Sequence, residues 1–234
     1  MNGAAYTAEA LRPRRASANA HASGPAAPLG VAILCVAALA LVWALASFVP
    51  AIHIKDAVAL HDMTLLNRPR IESIGNFLVH LLDPSVFVVW GAALAAASLA
   101  QRRPRIAVAV VAVMGLAPLT AETLKPLLAQ PHASVGGVHI GPASWPSGHA
   151  TAATALVLSA ILVAPARLRP LVAGLGAAFA AVIGAALLIL SWHMPSDVLG
   201  GYLVGTLWMA LAVAALRAAD RRWPSPQRRA VPAA

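Results

Sequence analysis

LGVAILCVAALALVWALASFV, residues 29–49, holds no charged side chain. A helix needs about 17 to 25 mostly apolar residues to cross the hydrocarbon core of a bilayer, so this run reads as a membrane span. Five further uncharged runs follow it, at 84–100, 106–121, 150–166, 171–193 and 198–216. Together they predict an all-α, polytopic membrane protein, a bundle of six transmembrane helices. Composition agrees. Of 234 residues, 60% are hydrophobic and 11% charged, whereas a soluble domain carries about 25% charged residues.

The net charge of +9 raises the question of nucleic acid, and its distribution answers it. Arg12, Arg14 and Arg15 precede the first run; Arg102, Arg103 and Arg105 lie between the second and third. Arg167 and Arg169 lie between the fourth and fifth, and Arg217, Arg221, Arg222, Arg228 and Arg229 follow the sixth. These are thirteen of the seventeen basic residues, all on alternate loops. Cationic loops stay cytoplasmic, so both termini are expected inside and the third and fifth loops outside. The basic excess is a topology signal that also suits anionic lipid headgroups, and no nucleic-acid partner is expected. The expected location is the plasma (inner) membrane, with membrane lipids as neighbours; nothing in the sequence reads a protein partner.

Residues 1–28 read as a disordered cytoplasmic tail, 29–218 as the six-span domain and 219–234 as a basic cytoplasmic tail. The arginines before the first run, with Ala44-Leu45-Ala46 near its end, also fit a signal peptide. The length of the run and the charge alternation favour a retained span. The single cysteine, Cys35, lies inside the first run and excludes an internal disulfide. Two lysines against fifteen arginines, with abundant alanine, suggest a GC-rich bacterial genome.

The loops carry the chemistry. The first outer loop, 50–83, places Ile71, Ile74, Leu78, Leu81 and Leu82 on one helical face, and Asp83-Pro84 breaks that helix before the second span. The third loop, 126–148, holds Pro126, Pro131, Pro142 and Pro146 with Gly136, Gly137 and Gly141. It is expected to be irregular and to wrap a pocket. Gly201 and Gly205 form a small-xxx-small pair suited to close helix packing.

Pro146-Ser147-Gly148-His149 opens the fourth span. Unpaired N–H groups at a helix start, with the helix dipole, favour an anion. Ser147 adds a hydroxyl, Gly148 permits close approach, and His149 stands beside whatever binds. A plain N-cap serine with an interfacial histidine would read the same way. In His193-Met194-Pro195-Ser196-Asp197, the aspartate lies four residues after the histidine. A carboxylate on one imidazole nitrogen fixes the tautomer and leaves the other nitrogen free to attack. Helix capping by Asp197 and a His/Asp zinc site are the alternatives. Lys125 ends the third span on the same outer side as both histidines, where a snorkelling lysine is also common.

These motifs resemble those of the type 2 phosphatidic acid phosphatase superfamily, the membrane lipid phosphate phosphatases. That family carries Lys-x6-Arg-Pro, then Pro-Ser-Gly-His, then Ser-Arg-x5-His-x3-Asp. Order, spacing and layout match over about residues 85–216. The resemblance implies an integral-membrane phosphatase acting on a phosphorylated lipid, a polyprenyl phosphate or pyrophosphate or a phosphatidate-like lipid, at the outer leaflet. It implies His193 as the nucleophile that forms a phosphohistidine, Asp197 as its orienting carboxylate and His149 as the general acid. It also implies Lys125, Ser147 and Gly148 as phosphate ligands, with no metal and no other cofactor.

The chain departs from the pattern at two places. His132 and Ala133 stand where the family has Arg-Pro, and Ala186 and Leu187 where it has Ser-Arg. His132 is therefore a candidate phosphate ligand in place of one arginine, with Arg68 or Arg70 of the first outer loop as further candidates to cover the site. A charge-assisted hydrogen bond is worth about 1.5–3 kcal/mol, so each missing arginine is expected to cost about 10- to 150-fold in rate if uncompensated. A phosphotransferase of the same family and a non-catalytic lipid-phosphate binder remain alternatives. Retention of His149, His193 and Asp197 in register favours an enzyme.

Overall fold

A computed structural model describes residues 24–223. Most of the tail expected to be disordered, 1–28, and the arginines Arg228 and Arg229 lie outside the described residues. Within them are eight helices: α1 (Ala26–Phe48), α2 (Pro50–Thr64), α3 (Pro69–His80), α4 (Pro84–Ala100), α5 (Pro104–Leu127), α6 (Gly148–Val163), α7 (Arg169–Ile189) and α8 (Pro195–Arg222). Proline stands in the first turn of α2, α3, α4, α5, α7 and α8. It suits that position, because its missing N–H would have had no helical partner there. Two expected tail boundaries are corrected. α1 begins at Ala26, inside the segment read as disordered, and α8 runs on to Arg222, where its last-turn arginines favour the negative end of the helix dipole.

The chain is a multi-pass membrane protein. Four helices, α1, α5, α7 and α8, are long and apolar enough to cross a bilayer, and α3 with α4 forms an apolar pair bent by 54°. The helix from the fourth run, α6, has only 16 residues. Its uncharged run continues to Ala166, but Ala164 precedes Pro165, and a residue before proline is pushed out of the helical region.

The bundle has two chemically distinct ends. At one, Arg103 donates to the carbonyl of Val163 (3.2 Å), Arg105 pairs with Asp220 (2.9 Å), and Arg217 donates to the carbonyl of Gly24 (3.3 Å). These contacts gather the start of α1, the α4–α5 turn and the ends of α6 and α8. The opposite end carries α2, α3, the α5–α6 loop and the α7–α8 turn. α1 packs along α8, α6 against α7 and α8, and α5 against α4, α6 and α8. The core between them is built of Val110, Val113, Ala117, Ala150, Ala153, Ile183, Leu187 and Val204.

Residues 50–83, expected as the first outer loop, form two helices where periodicity predicted one. α3 holds Ile71, Ile74 and Leu78 of the expected apolar face and lies against α7, bordering a groove with Val182, Ile189 and Leu190. α2 was not expected; its Ala57 and Leu60 are buried with Met194 beneath the α7–α8 turn. Between α5 and α6 the chain is irregular, as its prolines and glycines imply, with a single bridge between Val135 and Val138.

Small residues set the spacing of α6 and α8. A Cβ on Gly201 would lie 2.5 Å from the Ser147 carbonyl oxygen and 2.8 Å from Ala150 Cβ; one on Gly205 would lie 2.7 Å from Thr154 Cβ. Around Gly174 there is open space. Gly201→Ala is therefore expected to lower the apparent melting temperature in detergent, because α6 and α8 must part. Gly174→Ala is expected to leave it unchanged or raise it, by up to about 1 kcal/mol of helix propensity. Equal melting behaviour of the two variants would contradict this packing.

Candidate active site

The α7–α8 turn positions the first group. Ser191 has φ 58°, a left-handed conformation uncommon for a residue with a side chain, and it redirects the chain out of α7. The N–H of Trp192 then returns to the Leu187 carbonyl (2.9 Å). His193 follows and is nearly buried, and Asp197, in the first turn of α8, is fully buried. One carboxylate oxygen of Asp197, Oδ2, accepts the N–H of Met194 at 2.9 Å and lies 3.3 Å from His193 Nδ1. The sequence left capping and orienting as alternatives; the geometry has both on one oxygen. With Nδ1 held, Nε2 is the imidazole nitrogen left free.

The α6 start supplies the second group. Ser147 N–H donates to the backbone oxygen of Asp197 (2.9 Å), so the two motifs are joined directly. Ser147 Oγ caps α6 by accepting from Ala150 N–H (3.3 Å), and its own hydrogen stays available as a donor. Beside it, a Cβ on Gly148 would stand 2.7 Å from Glu122 Oε1 and 3.7 Å from Lys125 Nζ. The absence of a side chain thus lets the end of α5 reach the start of α6. Lys125 Nζ is bonded to Glu122 Oε1 at 2.7 Å. The His149 ring stands edge-on to Trp192, centroids 5.6 Å apart, with Nε2 4.0 Å from Asp83 Oδ1.

A third group comes from α2 and the α5–α6 loop. His132 Nε2 shares a hydrogen bond of 2.9 Å with Ser144 Oγ. The His53 ring is 6.5 Å from that of His132, and His53 Nε2 accepts from Ala133 N–H (2.8 Å). Burial holds the His132 imidazolium pKa below the ordinary value, against the opposing pull of the Asp197 carboxylate. Asp56 of α2 takes both the N–H (3.1 Å) and the hydroxyl (2.6 Å) of Ser196. Burial raises its carboxyl pKa, and the two Ser196 bonds oppose that shift.

Lys125, His139, Ser144, Ser191, Trp192 and His193 line an open cavity of about 420 Å³ at this end of the bundle. Of the predicted site residues Lys125 and His193 line it; His132 and His149 adjoin its lining residues Ser144 and Trp192, Gly148 lies beside Lys125, and Ser147 and Asp197 are fully buried behind it. The arginines proposed to cover it do not line it. Arg68 turns its guanidinium onto the carbonyls of Leu65 (2.9 Å) and Asn67 (2.7 Å), and Arg70 is exposed in the first turn of α3. Among the described residues no group of three or more His, Cys, Asp or Glu side chains is placed to hold a metal ion. Sequence reasoning missed Asp56, Asp83, Trp192, Ser196, His53 and the grip of Glu122 on Lys125. Asp83 had a signal, its place before Pro84 at the start of an uncharged run; Asp56 had none, because its partner is 140 residues away.

The chain belongs to the PAP2 superfamily, whose family model matches residues 106–221. Its fold is similar to that in the crystal structure of the first transmembrane PAP2 type phosphatidylglycerolphosphate phosphatase from Bacillus subtilis. The two share 20% sequence identity and a TM-score of 0.65, over 83% of this chain and 98% of that one. No curated protein matches the chain.

Asp56 gives a test of how the site is supported. In Asp56→Ala, Ser196 loses both partners beneath the α8 start, and a stability loss of about 1–3 kcal/mol is expected. Asp56→Asn keeps an acceptor for the N–H and a donor for the hydroxyl, and removes a charge whose burial opposes folding. Folding raises the Asp56 pKa, so its ionised form weakens the fold as pH rises from the unfolded carboxyl range through the raised value. At neutral pH Asp56→Asn should therefore melt at or above the wild-type temperature, and Asp56→Ala well below it, in thermal unfolding of the detergent-solubilised protein.

Proposed function

We propose that this protein is an integral-membrane lipid phosphate phosphatase working through a phosphohistidine on His193. The observation that carries the reading is the His193–Asp197 pair, with one imidazole nitrogen engaged by a buried carboxylate and the other free beside a cavity that also holds Lys125. Nε2 attacks phosphorus in line, and the bond from phosphorus to the lipid oxygen breaks. His149 gives that oxygen its proton. Water, deprotonated by the same imidazole, then attacks the phosphohistidine, frees inorganic phosphate and restores His193. Lys125, the N–H groups at Gly148 and His149, and the Ser147 hydroxyl are the donors for the equatorial oxygens, with His132 beside them.

In this reading the bundle has six spans. α4 and α6 are short, about 25 Å each at the helical rise, but each runs the whole way between the two ends. α4 goes from Asp83, near His149, to the Arg103 turn; α6 goes from Gly148 to Val163, which Arg103 binds. The arginine-rich end then faces the cytoplasm with both termini, and the site opens outside the plasma membrane. The substrate headgroup lies in the outer leaflet. A polyprenyl phosphate or pyrophosphate leads the candidates, followed by phosphatidate and phosphatidylglycerol phosphate, the last being the lipid for which the similar Bacillus subtilis enzyme is named.

The test is phosphate release by the purified protein in detergent, without added metal, over a panel of these lipids. Wild type is expected to release phosphate from at least one. His193→Ala should lose about a thousandfold or more. Asp197→Asn, which keeps an oxygen for Met194 N–H but no longer favours the tautomer with Nδ1–H, should lose about a hundredfold or more. No release from any lipid by folded wild type, or release that survives His193→Ala, would overturn the reading.

A further inference from the structure

The charge inventory of this site is unusual for one that holds phosphate. Lys125 is the single Lys or Arg lining the cavity, and Glu122 already engages its ammonium at 2.7 Å. Asp197 is buried behind His193, Asp83 stands by His149, and Asp56 sits beneath Ser196. With its histidines neutral, this end of the bundle has more fixed negative than positive charge. A phosphate monoester approaching it brings up to two more negative charges. Lys55, Arg68 and Arg70 of this end do not line the cavity, so the remaining sources of positive charge there are imidazoles: His193 and His139 line it, and His132 bonds Ser144, which also lines it. His132 also occupies the position of an arginine in the family pattern.

We infer that His132 is a proton-gated phosphate clamp, so that this enzyme binds its phosphorylated substrate tightly in acid and weakly at neutral or alkaline pH. The inference deepens the phosphatase reading and rests on it for the identity of the ligand. Phosphate oxygens need a donor with a positive charge; an arginine supplies it at every physiological pH, an imidazole only when protonated. His132 faces His53 and Asp56 from α2, His193 and Asp197 from the α7–α8 turn and α8, with Lys125 and Glu122 across the cavity from α5. Burial disfavours its charged form. Arrival of an anion favours that form, so binding and proton uptake at His132 reinforce each other.

Phosphate itself changes charge in this pH range, so the test is a ratio in which effects not due to residue 132 cancel. The dissociation constant of radiolabelled inorganic phosphate is measured at pH 5.5 and pH 8 for full-length wild type and His132→Arg in detergent, and KM for dioctanoyl phosphatidate beside it. Near pH 5.5 the two proteins should bind phosphate within a few-fold of each other. At pH 8 His132→Arg should bind about tenfold or more tightly than wild type, the range of one charge-assisted bond. A second variant covers misfolding of the first: His132→Gln, a neutral hydrogen-bonding side chain, should match wild type at pH 8 and fall about tenfold behind it at pH 5.5. A wild-type to variant ratio that stays flat with pH in both variants would overturn the inference. The phosphate-binding arm needs no turnover. A protein that binds phosphate in this pH-dependent way but releases none from any lipid would retain the clamp and lose the phosphatase reading; one that turns over lipid with flat ratios would do the reverse.

Discussion

Asp197 Oδ2 is the atom on which the site end of the bundle turns. It holds the first turn of α8 through Met194 and the imidazole of His193 through Nδ1. The backbone oxygen of the same residue takes the Ser147 N–H, so α6 is registered against α8 at the same point. A buried carboxylate is costly unless it is paired and hydrogen-bonded. Here that requirement converts into order: the groups that stabilise the ion are the His193 imidazole and the first turn of α8, and both are fixed by it. Behind it, Gly201 lets the Ser147 carbonyl lie against α8, and Asp56 secures Ser196 from α2. Three separate parts of the chain thus converge on one helix start.

Much of this was legible in the sequence because it is local. The uncharged runs gave the long helices, Asp83-Pro84 the break before α4, and the prolines and glycines of 126–148 the irregular loop. Gly201 and Gly205 gave the tight α6–α8 contact. The candidate site residues were readable from motif and parity, and the fold brings them to one end. Span lengths were less legible, since hydropathy does not mark where a helix stops. The run at 150–166 is cut by Pro165, and that at 171–193 ends where Ser191 turns left-handed. α2 was invisible for another reason: its Ala57 and Leu60 make too weak a stripe, and its burial depends on Met194 from the far end of the chain. The Asp56–Ser196 contact and the placement of Arg68 on its own neighbours follow from three-dimensional placement alone.

The electrostatics of the site follow from what stands close together. Glu122 and Lys125 share one helical turn of α5, and Gly148 leaves room for both at the α6 start. In a site with two arginines such a carboxylate would be a minor presence. Here it faces a single lysine and a set of imidazoles, and the balance of charge passes to groups that respond to protons.

The packing of α1 along α8 bears on how the protein is made. α1 finds its main partner in α8, the last of the eight described helices, so this contact cannot form until α8 has been made. His193 and Asp197 belong to that final segment. The pairing of His193 with Asp197 is therefore set in the same event that brings α8 into the bundle, and a chain that stops before α8 has no carboxylate to hold that imidazole.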